Sequence, residues 1–164
     1  MRHNAYLSLG SNIGDREANL RGAIAKLGEV GEVTKTSSFY ETEPVEVTNQ
    51  PWFLNCAVEI ETEKSPRQLL TALLAIEQSM GRKRVQPKGP RRIDIDILLS
   101  GDEVIDVAEL RVPHPAMHER RFVLEPLAEI APEARHPVLK RLARELLDAL
   151  PEGSPVVRKV PVRV

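Results

Sequence analysis

Hydrophobic and polar residues alternate with a period of two in several stretches of the chain, which is the pattern of a β-strand with one buried face. Other stretches repeat apolar residues every three or four positions, which predicts amphipathic helices. In chain order these patterns predict a strand at 4–10, a helix at 17–27, strands at 30–40 and 53–61, a helix at 66–80 and a strand at 93–99. This βαββαβ order predicts a ferredoxin-like α+β core, an antiparallel sheet with helices packed on one face.

The rest of the chain is predicted to add C-terminal helical elements to this core. The predicted additions are a loop at 41–51, a strand at 103–105, one or two short helices at 118–130 broken by Pro126, an amphipathic helix at 138–150 and an extended tail at 151–164. No internal repeat, low-complexity segment or domain boundary is visible, so residues 1–164 are expected to form a single domain.

The strand predicted at 53–61 separates its residues cleanly into two sets, so it is expected to be half buried. One face carries Leu54, Cys56, Val58 and Ile60, and the other carries Phe53, Asn55, Ala57, Glu59 and Glu61. An aromatic ring beside an amide suits a flat heterocycle that forms hydrogen bonds. Core packing is the alternative, and it suits the adjacent Trp52 more than Phe53.

The strand at 93–99 carries two acids in an otherwise apolar run. Alternation places Asp94 and Asp96 on one face, roughly 6 to 7 Å apart at their Cα atoms, so both carboxylates can reach one metal ion or bracket two. The opposite face is predicted to carry Ile93, Ile95, Ile97 and Leu99. A solvent-exposed strand face is the alternative, but carboxylates on a central strand need a partner, and Mg²⁺ prefers one or two carboxylates with phosphate oxygens.

A basic segment directly precedes the two aspartates. Its cations are Arg82, Lys83, Arg84, Lys88, Arg91 and Arg92. Charge runs are commonly just solvated, but glycines and prolines space these side chains, and arginine makes forked contacts to phosphate. Neither a Walker A sequence nor a glycine-rich dinucleotide motif is present, so a polyphosphate would be held by side-chain cations and Mg²⁺.

Composition narrows the classes of protein to which the chain could belong. Its 164 residues carry a net charge of −1, which argues against a dedicated nucleic-acid binder. Cys56 is the only cysteine, so a disulfide framework and a cysteine-rich zinc site are excluded. No apolar run approaches the length of a membrane span, and a cytoplasmic protein is expected.

Six motifs together resemble one enzyme family. They are GSN at 10–12, SSFYET at 37–42, FLN at 53–55, GR at 81–82, GPRRIDIDIL at 89–98 and VPHP at 112–115. In order and spacing they resemble 6-hydroxymethyl-7,8-dihydropterin pyrophosphokinase of folate biosynthesis, over about residues 4–137. The resemblance implies a ferredoxin-like fold and transfer of pyrophosphate from ATP to the pterin hydroxymethyl group, which leaves AMP.

The same resemblance implies roles for individual residues. Asp94 and Asp96 would bind two Mg²⁺ ions, and Arg82 and Arg91 would complete the catalytic set. The ATP-binding positions would be Glu77, Arg82, Arg84, Arg91, Ile97, His114 and Arg120. The pterin-binding positions would be Thr42, Pro44, Val45, Phe53, Asn55 and Phe122, with Phe53 and Phe122 stacked on either side of the heterocycle.

The chain departs from the family pattern at three places. Lys88 stands where tryptophan is common, in a loop one residue shorter than usual. Phe53 replaces a frequent tyrosine, and Glu43 replaces a frequent proline.

Two other functions stay open: a metal-dependent nuclease or nucleotidyl transferase, and a non-catalytic module that binds nucleotides or proteins. The expected partners are ATP and hydroxymethyldihydropterin, without nucleic acid or membrane, and a monomer is expected.

Overall fold

Strands and helices alternate in the order that the sequence pattern predicts. The structure, a computed structural model, describes residues 2–43, 51–81, 92–152 and 157–160. Its strands are β1 (His3–Ser11), β2 (Glu32–Thr36), β3 (Tyr40–Thr42), β4 (Phe53–Thr62), β5 (Asp94–Ser100), β6 (Ile105–Val107), β7 (Leu110–Val112) and β8 (Val157–Lys159). Its helices are α1 (Arg16–Leu27), α2 (Pro66–Ser79), a 3-10 turn (Met117–Glu119), α3 (Arg121–Ile130) and α4 (Ala143–Asp148).

The main sheet is antiparallel throughout. Its described strands lie in the order β5-β1-β4-β3-β8, and β2 pairs with another part of β4. The core β1-α1-β2/β3-β4-α2-β5 therefore confirms the ferredoxin-like α+β prediction, with β6 and β7 forming a separate two-stranded sheet. None of the helices in the described ranges combines the length and the apolar character that crossing a membrane requires.

Helices cover both faces of the sheet. The two core helices α1 and α2 pack on one face, as predicted, and the C-terminal helices α3 and α4 cover the other. On one side α1 and α2 bury a cluster built on the strands through Leu7, Leu9 and Val58. On the other side α3 and α4 bury a second cluster that includes Ala57 and Leu98. The outer face of the strands carries enough apolar residues to require a second cover, and the C-terminal helices supply it.

Strand β4 is buried on both faces because helices cover both sides of the sheet. The prediction that this strand is half buried is therefore wrong. Its outer-face residue Glu59 is only 7% exposed. The Glu59 carboxylate accepts a hydrogen bond of 2.6 Å from the Thr34 hydroxyl. Burial, reinforced by a hydrogen bond to Glu59, raises the pKa of Tyr6. The acid is therefore compatible with burial because neighbouring hydroxyl groups satisfy it.

Strand β5 contains a bulge that changes one predicted face. The register with β1 pairs Tyr6 with Leu99 but Leu7 with Ile97, so β5 has one extra residue at this point. Leu99 therefore packs with Leu98 on the α3 side, and its predicted place beside Ile97 is wrong. The two aspartates precede the bulge and keep the predicted alternation.

The predicted bounds of α1 and α2 agree with the structure to within one residue. Asp15 caps α1 by accepting from the Ala18 amide at 3.0 Å, and the helix ends at Leu27 just before Gly28. Ser65 caps α2 within a capping box, and Pro66 occupies the first helical position.

The single strand predicted at 30–40 is divided into β2 and β3. Between them the Ser37 hydroxyl accepts a hydrogen bond of 2.8 Å from the Ala57 amide, in place of a backbone carbonyl. Strand β3 continues to Thr42, so the first two residues of the predicted loop at 41–51 belong to a strand. The strand predicted at 103–105 begins only at Ile105.

The C-terminal helices also differ from the prediction. Pro126 does not break α3, because burial of three apolar side chains, about 1.5 to 3 kcal/mol each, outweighs the roughly 3 kcal/mol cost of an interior proline. The helix predicted at 138–150 forms only at Ala143–Asp148. His136 Nδ1 accepts from the amides of Val138 and Leu139, and this local bonding replaces the first helical turn.

Candidate functional site

Polar side chains from three strands converge on one end of the sheet, on the face covered by α3. The register places Asp94 opposite Gly10 on β1, and Gly10 opposite Asn55 on β4. Asp96 lies opposite Ser8, one step further along the same face. Adjacent strands are about 4.8 Å apart, so Asp94 and Asn55 are roughly 10 Å apart across Gly10. The predicted metal ligands and the predicted heterocycle ligands therefore share one continuous surface.

Gly10 is required at the middle of this surface. A Cβ atom there would lie 2.5 Å from Asn55 Oδ1 and 3.5 Å from Phe53 Cδ1. The first distance is shorter than real Cβ contacts allow, so any other residue would displace the Asn55 side chain. Gly10 belongs to the GSN motif at 10–12, but the motif does not reveal this role, because only the register shows what lies above Gly10.

Asn55 and Thr42 form a buried hydrogen-bonding pair at the β3–β4 end of the surface. Asn55 is 4% exposed and Thr42 is 2% exposed. The Asn55 side-chain amide donates to Thr42 Oγ1 at 2.5 Å, which turns Asn55 Oδ1 towards Gly10. This contact orients the amide for a planar hydrogen-bonding ligand.

Of the two predicted aromatic positions, Phe53 lies beside this pair. Phe53 begins β4, and its ring borders the space directly above Gly10. Phe122 lies in the first turn of α3 and packs against the second cluster. The guanidinium of Arg120 lies 5.6 Å from the centre of the Phe122 ring, which is a cation–π contact. Stacking of a heterocycle between the two rings stays a prediction.

The aspartate strand is anchored by a third acid. Glu77 on α2 is 1% exposed, and its carboxylate accepts a hydrogen bond of 2.7 Å from the amide of Ile95. Ile95 lies between Asp94 and Asp96, so Glu77 fixes the backbone from which both half-buried aspartates project. The family resemblance implies that Glu77 binds nucleotide, and no local sequence signal predicts its contact with the strand.

His114 and Ile97 occupy different environments, although both were predicted to bind ATP. A cis peptide bond joins Val112 to Pro113, and the His114 amide then donates to the carbonyl of Leu98 at 3.0 Å. His114 Nδ1 accepts from the Ala116 amide at 3.2 Å, so the neutral ring carries its proton on Nε2 as a donor. The Ile97 side chain is buried in the α1/α2 cluster, so only its backbone is available to a nucleotide.

Five of the predicted site residues lie outside the described residues. They are Arg82, Arg84 and Arg91 of the basic segment, and Pro44 and Val45 of the loop after β3. The described part of the site thus comprises an aspartate end (Asp94 and Asp96), an amide end (Asn55 and Thr42) and the surface between them around Gly10.

The acids of the site suit a metal ion bound jointly with a substrate. Within the described ranges, no group of three or more His, Cys, Asp or Glu side chains could hold a metal ion alone. Asp94 and Asp96 offer two carboxylates on one half-buried face. That donor set fits Mg²⁺, which usually takes its remaining ligands from phosphates and water.

A family comparison covers most of the chain. Residues 6–132 match the model of the family described as 7,8-dihydro-6-hydroxymethylpterin-pyrophosphokinase (HPPK). The 2-amino-4-hydroxy-6-hydroxymethyldihydropteridine pyrophosphokinase of Bacillus subtilis is 53% identical over 132 residues, which are 79% of each protein. The protein of the same name from Aquifex aeolicus is 44% identical over 140 residues, 85% of this chain and 88% of that protein.

Longer relatives contain a similar segment. The folic acid synthesis protein fol1 of Schizosaccharomyces pombe is 45% identical over 149 residues, which are 90% of this chain but 20% of that protein. A solved structure of Plasmodium falciparum HPPK-DHPS with pterin and p-hydrobenzoate has a TM-score of 0.71 at 19% identity. It covers 90% of this chain and 44% of the Plasmodium chain, and it supports the fold alone.

Proposed function

Because the chain belongs to the 7,8-dihydro-6-hydroxymethylpterin-pyrophosphokinase family, we propose that it transfers a pyrophosphoryl group from ATP to 6-hydroxymethyl-7,8-dihydropterin. The products are the pterin diphosphate and AMP, and the reaction is a step of folate biosynthesis. The single observation that carries this proposal is the surface Asp94–Gly10–Asn55, which joins a metal-phosphate end to a heterocycle end on one sheet face.

The pterin is held at the β3–β4 end of the surface. Thr42 and Asn55 bind its hydrogen-bonding edge, and Phe53 and Phe122 stack against its two faces. The burial of Thr42 and Asn55 supports this assignment, because a buried polar pair rejects a ligand that cannot complete its hydrogen bonds. Pro44 and Val45 belong to the same pocket by family resemblance.

ATP is held at the opposite end. His114 donates from Nε2 to a phosphate oxygen, and Arg120, whose guanidinium lies over the Phe122 ring, contributes a positive charge to nucleotide binding. Glu77 acts here by fixing the β5 backbone, which its bond to the Ile95 amide supports. By family resemblance Arg82, Arg84 and Arg91 bind the phosphates, and Ile97 contacts the nucleotide through its backbone.

Asp94 and Asp96 would hold two Mg²⁺ ions together with the phosphates of ATP. When bound, the ions neutralise phosphate charge and lower the pKa of a coordinated hydroxyl group. The two carboxylates provide fixed negative charges on a strand anchored by Glu77, so the cations are bound at a defined place on the sheet.

The residues of the chain contribute mainly orientation. The pterin hydroxyl group must approach the β-phosphorus in line with the leaving AMP oxygen, and charge spreads over the phosphate oxygens during transfer. The pair formed by Thr42 and Asn55 holds the pterin so that its hydroxymethyl group faces the aspartates across Gly10. Arg82 and Arg91 stabilise the charge that develops on the phosphates. This chemistry assigns no side chain as a general base.

We further propose that residues 1–164 act as one pyrophosphokinase domain, as a monomer and in the cytoplasm. Cys56, the single cysteine of the chain, is buried in the core, as suits a protein that does not depend on disulfides. Light scattering coupled to size-exclusion chromatography tests the oligomeric state, and a dimer mass would refute the monomer.

The function is tested by measuring AMP with ATP, Mg²⁺ and hydroxymethyldihydropterin present together. AMP release should require all three components, and ADP should not accumulate. A non-catalytic binding module would release no AMP under these conditions. Strong salt-dependent binding of the protein to DNA or RNA would instead favour a nuclease or nucleotidyl transferase.

A further inference from the structure

Arg16 contacts both ends of the segment that connects β3 to β4. Its Nη2 atom donates to Glu41 Oε2 at 2.7 Å, and its Nη1 atom donates to the backbone carbonyl of Trp52 at 2.9 Å. Glu41 is near the end of β3, and Trp52 directly precedes β4. One guanidinium group therefore holds together two points that are eleven residues apart in sequence.

The environment of this contact makes it stronger than an ordinary surface ion pair. The side chains of Arg16 and Glu41 are 29% and 20% exposed, so water screens their charges only in part. The planar guanidinium makes both contacts from neighbouring nitrogens, which a lysine ammonium group cannot reproduce in the same geometry. Asn12 adds a third contact to the same segment, because its side-chain amide donates to the carbonyl of Pro51 at 3.1 Å.

The position of Arg16 in its helix points to the same function. Arg16 is the first residue of α1, where the helix dipole favours an acid and disfavours a cation. Glu17, one residue later, is the side chain that the dipole favours. The placement of an arginine at the start of α1 is therefore explained by its contacts with the β3–β4 segment and not by helix stability.

These contacts lie next to the residues assigned to the pterin. Glu41 precedes Thr42, Trp52 precedes Phe53, and Thr42 and Phe53 are paired across β3 and β4. We propose that Arg16 is a positioning residue for the pterin, which holds the paired residues Thr42 and Phe53 in place through its fork to Glu41 and Trp52. The inference rests on the proposed function, because it concerns the site that binds the pterin.

The proposal is tested by titrating the wild type and three variants with hydroxymethyldihydropterin and, separately, with a non-hydrolysable ATP analogue in Mg²⁺. Arg16→Gln removes both contacts, and we expect roughly a threefold to tenfold increase in the Kd for the pterin. The Kd for the ATP analogue should change less than about twofold, because the fork does not contact the aspartate end. Arg16→Lys should give an intermediate Kd for the pterin.

Arg21→Gln is the matched control on the same helix. Arg21 pairs with Glu17 at 3.0 Å, lies 5.2 Å from the centre of the Phe39 ring and is 61% exposed, so this variant removes the same charge while leaving the contacts with Glu41 and Trp52 in place. Its affinity for the pterin should equal that of the wild type. If Arg16→Gln does not fold, Glu41→Gln weakens the same fork, retains the bond to the Trp52 carbonyl, and should show the same selective loss.

Two results would overturn the proposal. Equal changes in both affinities would show a general structural role for Arg16, and wild-type affinity for the pterin in Arg16→Gln would show that the fork is dispensable. Both results leave the proposed function intact, provided that the wild type releases AMP. A wild-type protein that neither binds the pterin nor releases AMP would instead overturn the proposed function.

Discussion

The two faces of the central sheet are built by the same strands but serve different purposes. The face under α1 and α2 is continuously apolar, and its strand residues are Leu7, Leu9, Cys56, Val58, Ile95 and Ile97. The face under α3 is divided. Ala57, Leu98 and Leu99 form a second core with the C-terminal helices, whereas Gly10, Asn55, Asp94 and Asp96 lie at one end of the same face, outside this apolar cluster.

This difference shows that the alternation of side chains along a strand places residues for stability on one face and residues for chemistry on the other. Cys56 and Asn55 are neighbours in sequence, yet one side chain lies in the α1/α2 core and the other lies on the polar surface. Burial raises the pKa of the Cys56 thiol to about 12, so this group stays protonated and unreactive. Substitutions on the two faces should therefore give opposite phenotypes.

The largest effect is expected from removing either carboxylate of the polar surface. Asp94→Ala or Asp96→Ala should reduce kcat by roughly a thousandfold or more, because the phosphates and Mg²⁺ lose a fixed ligand. The urea midpoint should stay close to that of the wild type, since both residues are only half buried. Steady-state AMP release and urea unfolding measure the two quantities.

Asp102→Ala is the matched control, because Asp102 is an exposed acid in the turn just after β5. It should leave both quantities unchanged. Near-wild-type turnover in either Asp94→Ala or Asp96→Ala would refute the metal assignment.

Truncation in the α1/α2 core should produce the opposite result. Leu7→Ala removes a fully buried side chain, and we expect the free energy of unfolding to fall by about 2 to 5 kcal/mol. The folded fraction should keep the wild-type kcat, because Leu7 faces away from the site. Leu139→Ala, at a position 40% exposed, should cost less than about 0.5 kcal/mol. A drop in kcat without loss of stability in Leu7→Ala would contradict the separation of the two faces.

A smaller and more selective effect is expected at Gly10. Gly10→Ala places a methyl group against Asn55 Oδ1, and the Asn55 side chain can move only by breaking its bond to Thr42. The KM for the pterin should rise about tenfold, whereas the KM for ATP should change little.

Gly22→Ala in α1 is the corresponding control, because its nearest contact, Met80 Cε, is an ordinary 3.6 Å away. This change should stabilise the helix by about 0.5 to 1 kcal/mol and leave both KM values unchanged. If Gly10→Ala also behaved in this way, the close contact with Asn55 would not control pterin binding.

The smallest effect is a pH dependence that arises on the α3/α4 side. Burial, with the nearby His118, lowers the pKa of His136 from 6.5. The unfolded chain therefore binds more protons than the folded chain just below pH 6.5, and the free energy of unfolding falls as the pH decreases through this region. His136→Asn keeps an oxygen acceptor for the amides of Val138 and Leu139 but cannot titrate. As the pH decreases, the free energy of unfolding of His136→Asn should fall less than that of the wild type.

The measurement is urea unfolding between about pH 7 and about pH 5.5. The lower limit avoids a second group, Glu129. Although its partial burial acts in the opposite direction, hydrogen bonds from Tyr40 and Ser38 lower the pKa of Glu129 from 4.5. Parallel pH profiles for the wild type and His136→Asn would show that His136 does not contribute.

Local sequence signals predicted the elements that depend on few neighbours. Asp15, Gly28 and Ser65 mark the ends of α1 and α2 because a cap acts within a few residues of the chain. These signals were insufficient where a side chain takes a backbone hydrogen bond that a strand or a helix would otherwise form. The Ser37 hydroxyl interrupts a predicted strand, and the His136 ring shortens a predicted helix, and both depend on groups whose orientation no periodicity reveals.

Sequence patterns were sufficient to predict the antiparallel βαββαβ core, the common face of Asp94 and Asp96, and the resemblance to the pterin pyrophosphokinases. These features follow from residue periodicity and from motifs, which are properties of short segments. Four features become visible only in the folded protein: helices cover both faces, Glu77 anchors the aspartate strand, Gly10 lies beneath Asn55, and Arg16 joins the two ends of the β3–β4 segment. Each of these depends on the register between strands or on the packing of distant segments, and neither quantity is encoded in any one stretch of the chain.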